Sequence, residues 1–189
     1  MPQRMTRHRL LLGLLTLGLL AGAALTAGPA QAATGVGPLY PNPAWAQKIA
    51  AATRFLVLTN WNSEAVLDKE TGLVWERTPF GANNFSWSAA TQDCLRLTTG
   101  NRRGWRLPSV HELASLVDPT QSGPALPLGH PFVLAPIVNV HWTATTNAAN
   151  EAQVWFVNLA NGSVDNFAPK VTGQGNAWCV RGDMNAAAQ

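Results

Sequence analysis

The chain has only two cysteines, Cys94 and Cys179, and the segment in front of them constrains what they can become. Arg4, Arg7 and Arg9 open the sequence with no acidic residue among them. Leu10 to about Leu25 is then built almost wholly of Leu, Ala and Gly, and Ala30-Gln31-Ala32 puts small residues where signal peptidase cuts. A basic start, an apolar stretch and an A-x-A site are the marks of a secretory leader, so residues 1–32 are read as a signal peptide. The apolar stretch is shorter than the ~20 residues of a membrane span. No cysteine follows it for a lipid anchor and no second long apolar run occurs, so no span is expected after cleavage. In an oxidising compartment an even pair of cysteines is most simply a disulfide. Free or metal-binding thiols are the alternative. A bridge between positions 94 and 179 would tie two distant parts of the chain and stabilise the fold by about 4–5 kcal/mol on the chain-entropy model.

The leader also carries the net charge. Three of the 13 Lys and Arg lie in it and none of the 10 Asp and Glu, so the rest of the chain has ten of each and no net charge. The positive formal charge of the whole sequence is therefore no argument for a nucleic-acid partner, and none is expected. The chain beyond residue 32 is long enough for one domain with a sizeable core. Few charges (12%), eight Trp and many loops of Asn, Gly, Thr and Pro fit a loop-rich extracellular fold.

Residues 33–53 read as a linker, opened by Gly35, Gly37, Pro38, Pro41 and Pro43 and closed by two turns of helix over Trp45 to Ala52. The domain is expected over residues 54–183, and residues 184–189 as a disordered tail. Phe55 to Leu58, Ala65 to Leu67 and Leu73 to Glu76 are short apolar runs parted by Asn60-Trp61-Asn62-Ser63 and Asp68 to Gly72, a meander of three strands. Ser86 is a natural cap for a helix that carries Trp87, Ala90, Cys94 and Leu97 on one face, with Gly100 just past its end. Ser109-Val110-His111-Glu112 is a capping box for a second helix, with Leu113, Leu116 and Val117 as its buried stripe and Asp118-Pro119 as its stop. Residues 119–136 read as a long surface loop. Val138 to Ala144, Gln153 to Asn158, Ser163 to Phe167 and Ala177 to Val180 are then strands, with Asn161-Gly162 as a hairpin turn. The order of elements predicts an α+β fold.

Several of these segments together resemble the Lcl C-terminal domain family, named for the C-terminal domain of a bacterial collagen-like adhesin. They are Thr71-Gly72-Leu73-Val74-Trp75, Trp87-Ser88-Ala89-Ala90 with Cys94, Gly104-Trp105-Arg106-Leu107-Pro108 with Glu112-Leu113, Trp142-Thr143-Ala144-Thr145, Val157 to Val164, and Trp178-Cys179-Val180-Arg181-Gly182. They stand in the family's order. Two stretches depart from it: Asn60 to Glu64 replaces the usual Asp-Gly-Thr turn, and Thr143-Ala144-Thr145 replaces Ser-Ser-Thr. The resemblance implies a C-type-lectin-like fold, shared with formylglycine-generating enzymes, in which a cysteine of the first helix bridges to the last strand. It also implies a binding role, since the namesake domain binds sulfated polysaccharides. Nothing like that namesake's Gly-X-Y stalk occurs here, so its trimeric state is not carried over.

The candidate contacts for such a ligand are Arg96, Arg102 and Arg103, since guanidinium groups pair well with sulfate and carboxylate. Arg106, close by, is expected to serve structure instead, paired with Glu112 beneath the Ser109 cap. Trp75, Trp87, Trp105, Trp142, Trp155 and Trp178 lie within expected elements and are expected mostly in the core. Trp61, in a polar turn between two Asn, is the candidate exposed platform for a sugar ring. His111, His130 and His141 have no metal-ligand spacing, and the Glu-Pro-Asn or Gln-Pro-Asp triplet of calcium-dependent lectins is missing, so no metal or cofactor is expected. The expectation is an exported, non-catalytic binding module, periplasmic or extracellular, whose partner is an anionic or sulfated polysaccharide. The alternatives are an envelope protein as partner, or an oxidase-like enzyme using both cysteines.

Overall fold

Phe55–Val57 (β1), Ala65–Asp68 (β2) and Val74–Glu76 (β3) are short apolar runs parted by polar turns, and in the computed structural model of the chain they pair as an antiparallel meander. The structure describes residues 49–79, 85–134 and 140–183; the expected leader, most of the expected linker and the expected tail lie outside them. Val180–Arg181 (β7) takes the free side of β3, so the sheet runs β1-β2-β3-β7. A second antiparallel sheet is made of Val140–Thr146 (β4), Gln153–Asn158 (β5) and Ser163–Pro169 (β6), in that order. Asn161-Gly162 closes the β5–β6 hairpin: the Gly162 N–H donates to the Asn158 carbonyl at 2.7 Å, and Gly162 takes a φ of +77°. The architecture is α+β, with two antiparallel sheets, helices and one disulfide.

The α-helices among the described residues are Ala51–Arg54 (α1), Trp87–Arg96 (α2) and Val110–Ala114 (α3). α2 starts where expected, with the Ser86 hydroxyl accepting from the Ala89 N–H, and it buries Ala90 and Cys94. It ends at Arg96, so Gly100 is not its cap. α3 has the full capping box but is shorter than expected. Beyond Ala114 the chain tightens: the Leu116 and Val117 amides donate three residues back, to Leu113 and Ala114, which is a 3₁₀ pattern. Leu116 is still fully buried, whereas Val117 is only half-buried. α1 lies at the end of the expected Trp45 to Ala52 helix and runs two residues past it; the rest of that helix falls outside the described residues.

Two further expectations are corrected. The stretch after Asp118 is not a surface loop throughout: Ala125, Leu126 and Phe132 are buried, and the Ala125 N–H donates to Leu159. Only Val180 of the strand expected over Ala177 to Val180 belongs to a strand; Gly175 and Asn176, just before that span, make isolated bridges to Phe85 and His141.

The core divides into two clusters. One gathers Ala90, Cys94, Trp105, Leu107, Trp142, Val154, Phe156 and Cys179; the other gathers Val66, Leu73, Trp75, Leu113, Leu116, Val157, Trp178 and Val180. β5 feeds both, with a register irregularity between Val154 and Phe156. Trp75, Trp105, Trp142 and Trp178 are buried as expected, but Trp87 and Trp155 are only half-buried. Cys94 and Cys179 are bridged, with α-carbons 5.4 Å apart, joining α2 to the segment that leads into β7. A second tie is ionic. Arg54, buried at the end of α1, donates to both oxygens of Asp68 (2.8 and 2.7 Å) and to the Ser115 carbonyl (2.9 Å), so it fastens β2 to the end of α3.

Candidate functional site

The turn after β1, Thr59–Trp61, ends in two residues of left-handed backbone, Asn62 (φ 54°) and Ser63 (φ 57°). A second tight turn, Thr99–Asn101, holds Gly100 (φ 64°) and Asn101 (φ 56°) in the same region. The two turns are joined by a carboxylate and a ring. Glu64 Oε2 accepts the Gly100 N–H at 2.7 Å, and the Trp61 side chain lies directly against Gly100. A β-carbon on Gly100 would come within 2.8 Å of Trp61 Cβ and 2.9 Å of Cε3. Trp61 is therefore not the free-standing platform that its polar neighbours suggest. It is half-buried, packs on the first core cluster and meets Trp105 edge-on at 6.5 Å.

Two guanidinium groups share its ring. The Arg102 carbon lies 5.3 Å from the indole centroid and that of Arg181 lies 5.5 Å from it, both within the range of a cation–π contact. Arg181 also donates from Nε to the Arg103 carbonyl at 2.9 Å, so β7 and the 102–103 stretch are held together. Of the expected contacts, Trp61 and Arg102 thus form one site and Arg103 adjoins it. Arg96 is separate in its bonding: its Nη2 reaches Gln92 of its own helix at 3.4 Å. Arg181 is not among the expected site residues. The sequence marks it only as part of Trp178-Cys179-Val180-Arg181-Gly182, and nothing local ties it to Trp61. Among the described residues Arg96, Arg102, Arg103 and Arg181 have no carboxylate partner within salt-bridge distance.

Arg106 is occupied as expected. Its two terminal nitrogens donate to Glu112 at 2.8 and 2.7 Å, and Nη2 also donates to the Gly182 carbonyl at 2.7 Å. Glu112 Oε2 accepts the Ser109 N–H at 2.7 Å, and the Ser109 hydroxyl accepts the Glu112 N–H at 3.2 Å. Burial alone would raise the Glu112 carboxyl, but the Arg106 guanidinium and the Ser109 groups outweigh it and hold it below the usual carboxylate range. This pair is a fastening for α3 and not a free contact.

A cleft of about 560 Å³ opens beside Trp61, between the two turns. Asn62, Ser63, Glu64, Thr98, Thr99 and Asn101 line it, together with Arg77 and Val133. Sequence reasoning missed this cleft, because its walls come from two turns far apart in the chain, and three of their four left-handed residues are Asn or Ser, which the sequence does not mark as such. Elsewhere the chemistry is sparse. Among the described residues no group of three or more His, Cys, Asp and Glu could hold a metal ion, and no helix is long and apolar enough to cross a membrane. The bridge takes up both cysteines of the chain, which removes the thiol pair that oxidase-like chemistry would use.

Among curated proteins none matches the chain. Residues 64–181 match the Lcl C-terminal domain, a span that opens at the carboxylate holding Gly100 and closes at the second guanidinium on Trp61. The chain belongs to the Lcl C-terminal domain family.

Proposed function

We propose that the chain is an exported, non-catalytic binding module for an anionic polysaccharide of the cell envelope or its surroundings, and that Trp61, Arg102 and Arg181 are its central contact. The observation that carries this reading is the pair of guanidinium groups at 5.3 and 5.5 Å from one indole, with no carboxylate on either among the described residues. A sulfate or carboxylate resting on either guanidinium would gain a charge-assisted contact that the described residues do not already supply. Arg103, whose carbonyl accepts from Arg181, and Arg96 are the further positive charges of this reading. The half-buried indole adds some apolar surface beside these charges. The domain architecture is taken as C-type-lectin-like, with a leader over residues 1–32, a linker over 33–53, the module over 54–183 and a tail over 184–189. On this reading the protein works in the periplasm or outside the cell.

One observation favours a protein partner instead. β6 is the outer strand of its sheet and exposes Val164 and Phe167, with Val171 just beyond it. Binding of the exported protein to dextran sulfate, polygalacturonate and dextran, at low and moderate salt, separates the readings. Salt-sensitive binding to the charged polymers, lost in the Arg102→Ala, Arg181→Ala double variant, is the expected result. Failure of the unaltered protein to bind any of the charged polymers would overturn the polysaccharide reading and leave the β6 face as the leading surface.

A further inference from the structure

We propose that the cleft between the Thr59–Trp61 and Thr99–Asn101 turns is a second subsite, one that takes an uncharged sugar unit of the same polymer whose anionic group rests on Arg102 and Arg181. The inference rests on the polysaccharide reading and goes beyond it, because the chemistry of this cleft differs from that of the arginine pair. Its lining is rich in groups that both donate and accept, the amides of Asn62 and Asn101 and the hydroxyls of Ser63, Thr98 and Thr99. Among the described residues none of these five side chains is in a hydrogen bond, so they are available to a ligand.

The charged members of the lining are already engaged. Glu64 holds the Gly100 N–H, and Arg77 donates to the Pro131 carbonyl at 3.2 Å and the Ser63 carbonyl at 3.3 Å. One carboxylate and one guanidinium leave the cleft without net charge, in contrast to the two guanidinium groups on Trp61. Leu97 and Val133 add apolar wall. Hydroxyls, amides and some apolar surface without net charge match a neutral sugar, which presents hydroxyl edges and C–H faces. A volume of about 560 Å³ lies within the ~300–1,000 Å³ of small-molecule sites.

Adjacency in the chain ties the cleft to the cationic contact. Asn62 follows Trp61 and Asn101 precedes Arg102, so the polar lining continues directly into the cationic contact. Asn62, Ser63 and Asn101 are also the three non-glycine residues of positive φ among those described, and all three line this cleft. Left-handed backbone costs such residues about 1 kcal/mol or more and persists where the surroundings fix it.

The test uses the exported protein, labelled with ¹⁵N, and two kinds of probe. Neutral methyl glycosides of glucose, galactose, mannose and N-acetylglucosamine are titrated in one set, and sodium sulfate in the other. The expected result is saturable shifts of the Asn62 and Asn101 side-chain amide signals with at least one neutral glycoside, while sulfate moves the Arg102 and Arg181 Nε signals. The Ser63→Gly, Asn101→Gly double variant keeps a backbone that suits positive φ and so should fold as well as the parent. It should bind a lightly sulfated dextran, in which most glucose units are uncharged, about tenfold more weakly with its salt dependence unchanged. A cleft that answers to no neutral glycoside, or a variant that binds the lightly sulfated dextran like the parent, would overturn the subsite while the polysaccharide reading stands. Loss of all polymer binding in the unaltered protein overturns both.

Discussion

Gly100 lies under the side chain of Trp61, close enough that a β-carbon would stand 2.8 Å from Trp61 Cβ. No rotation of a terminal group relieves that contact, because the atoms it meets are the root of the indole. Gly100 also has a φ of 64°, where any other residue is strained. The Gly100→Ala variant is expected to lose about 2–3 kcal/mol of stability from strain and displaced packing together. It should also shift the Trp61 fluorescence and weaken polymer binding, because Arg102 and Arg181 are both arranged on that ring. Urea denaturation with a fluorescence readout checks the first, and the dextran sulfate assay the second. A variant as stable as the parent, with unaltered binding, would show that the turn accommodates a β-carbon and that the contact does not set the site.

The Arg106–Glu112 pair fastens three pieces: the strand-like segment at Arg106, the start of α3, and Gly182 beyond β7. Arg106→Ala leaves a mostly buried carboxylate with only the Ser109 groups to satisfy it. Because the Arg106 side chain is 36% exposed, solvent screens part of the loss, and ~1–2 kcal/mol is expected rather than the larger cost of a fully buried pair. Arg106→Lys keeps the charge but cannot make two parallel bonds and reach Gly182 as well, so it should recover less than half of that loss. Thermal melts of the two variants decide it, and equal melting of Arg106→Ala and the parent would show the pair to be dispensable.

The features legible in the sequence are local or covalent. Ser109 and Glu112 are three residues apart and form their box wherever the chain starts a helix. Ser86 caps α2 for the same reason. The apolar runs of β1 to β3 and the Asn161-Gly162 turn declare themselves within a few residues. Arg181 on Trp61 is not legible, because it depends on β7 pairing with β3 in one register, Val74 against Arg181 and Trp75 against Val180. The Arg54–Asp68 pair is hidden in the same way, by a polar turn that looks complete without it. Gly100 stands out as a glycine but reads as the end of a helix, whereas its lack of a side chain serves the indole of Trp61. The shortened α3 reflects a Ser115 hydroxyl that donates to the Glu112 carbonyl at 2.7 Å, a competitor that helical periodicity does not register.

The disulfide makes its own prediction. Cys94 and Cys179 are both fully buried and join α2 to the approach of β7, whose arginine completes the cationic site. The Cys94→Ala, Cys179→Ala variant should lose about 2–5 kcal/mol. It should also bind charged polymer more weakly than its folded fraction explains, since Arg181 would be held less firmly. Binding measured per folded molecule, well below the variant's melting midpoint, isolates the second effect; a ratio equal to the parent's would confine the bridge to stability.

Glu76 gives the fold an unusual dependence on pH. It is 3% exposed, and its Oε2 accepts the Cys179 N–H at 2.9 Å while its own carbonyl accepts the Trp178 indole N–H at 3.0 Å. Burial raises its carboxyl from 4.5 to about 7, and the Cys179 N–H offsets only part of that rise. Below the unfolded value of 4.5 the group is protonated in both states. Between 4.5 and about 7 the folded protein keeps a proton that the unfolded chain releases, so stability falls as pH rises through this window. The total is ~3 kcal/mol, fully present in acid and gone above the folded value. His130 works against it: burial lowers its imidazole, which costs stability as pH falls below the ordinary 6.5. Comparison with Glu76→Gln separates the two, because the amide oxygen can still accept the Cys179 N–H while carrying no charge. Between about pH 5 and about pH 8 the parent should lose melting temperature relative to this variant, by several degrees for a domain of this size. Parallel profiles for the two proteins would mean that Glu76 is ionised in the folded state across the whole range, with a compensating positive group close to it.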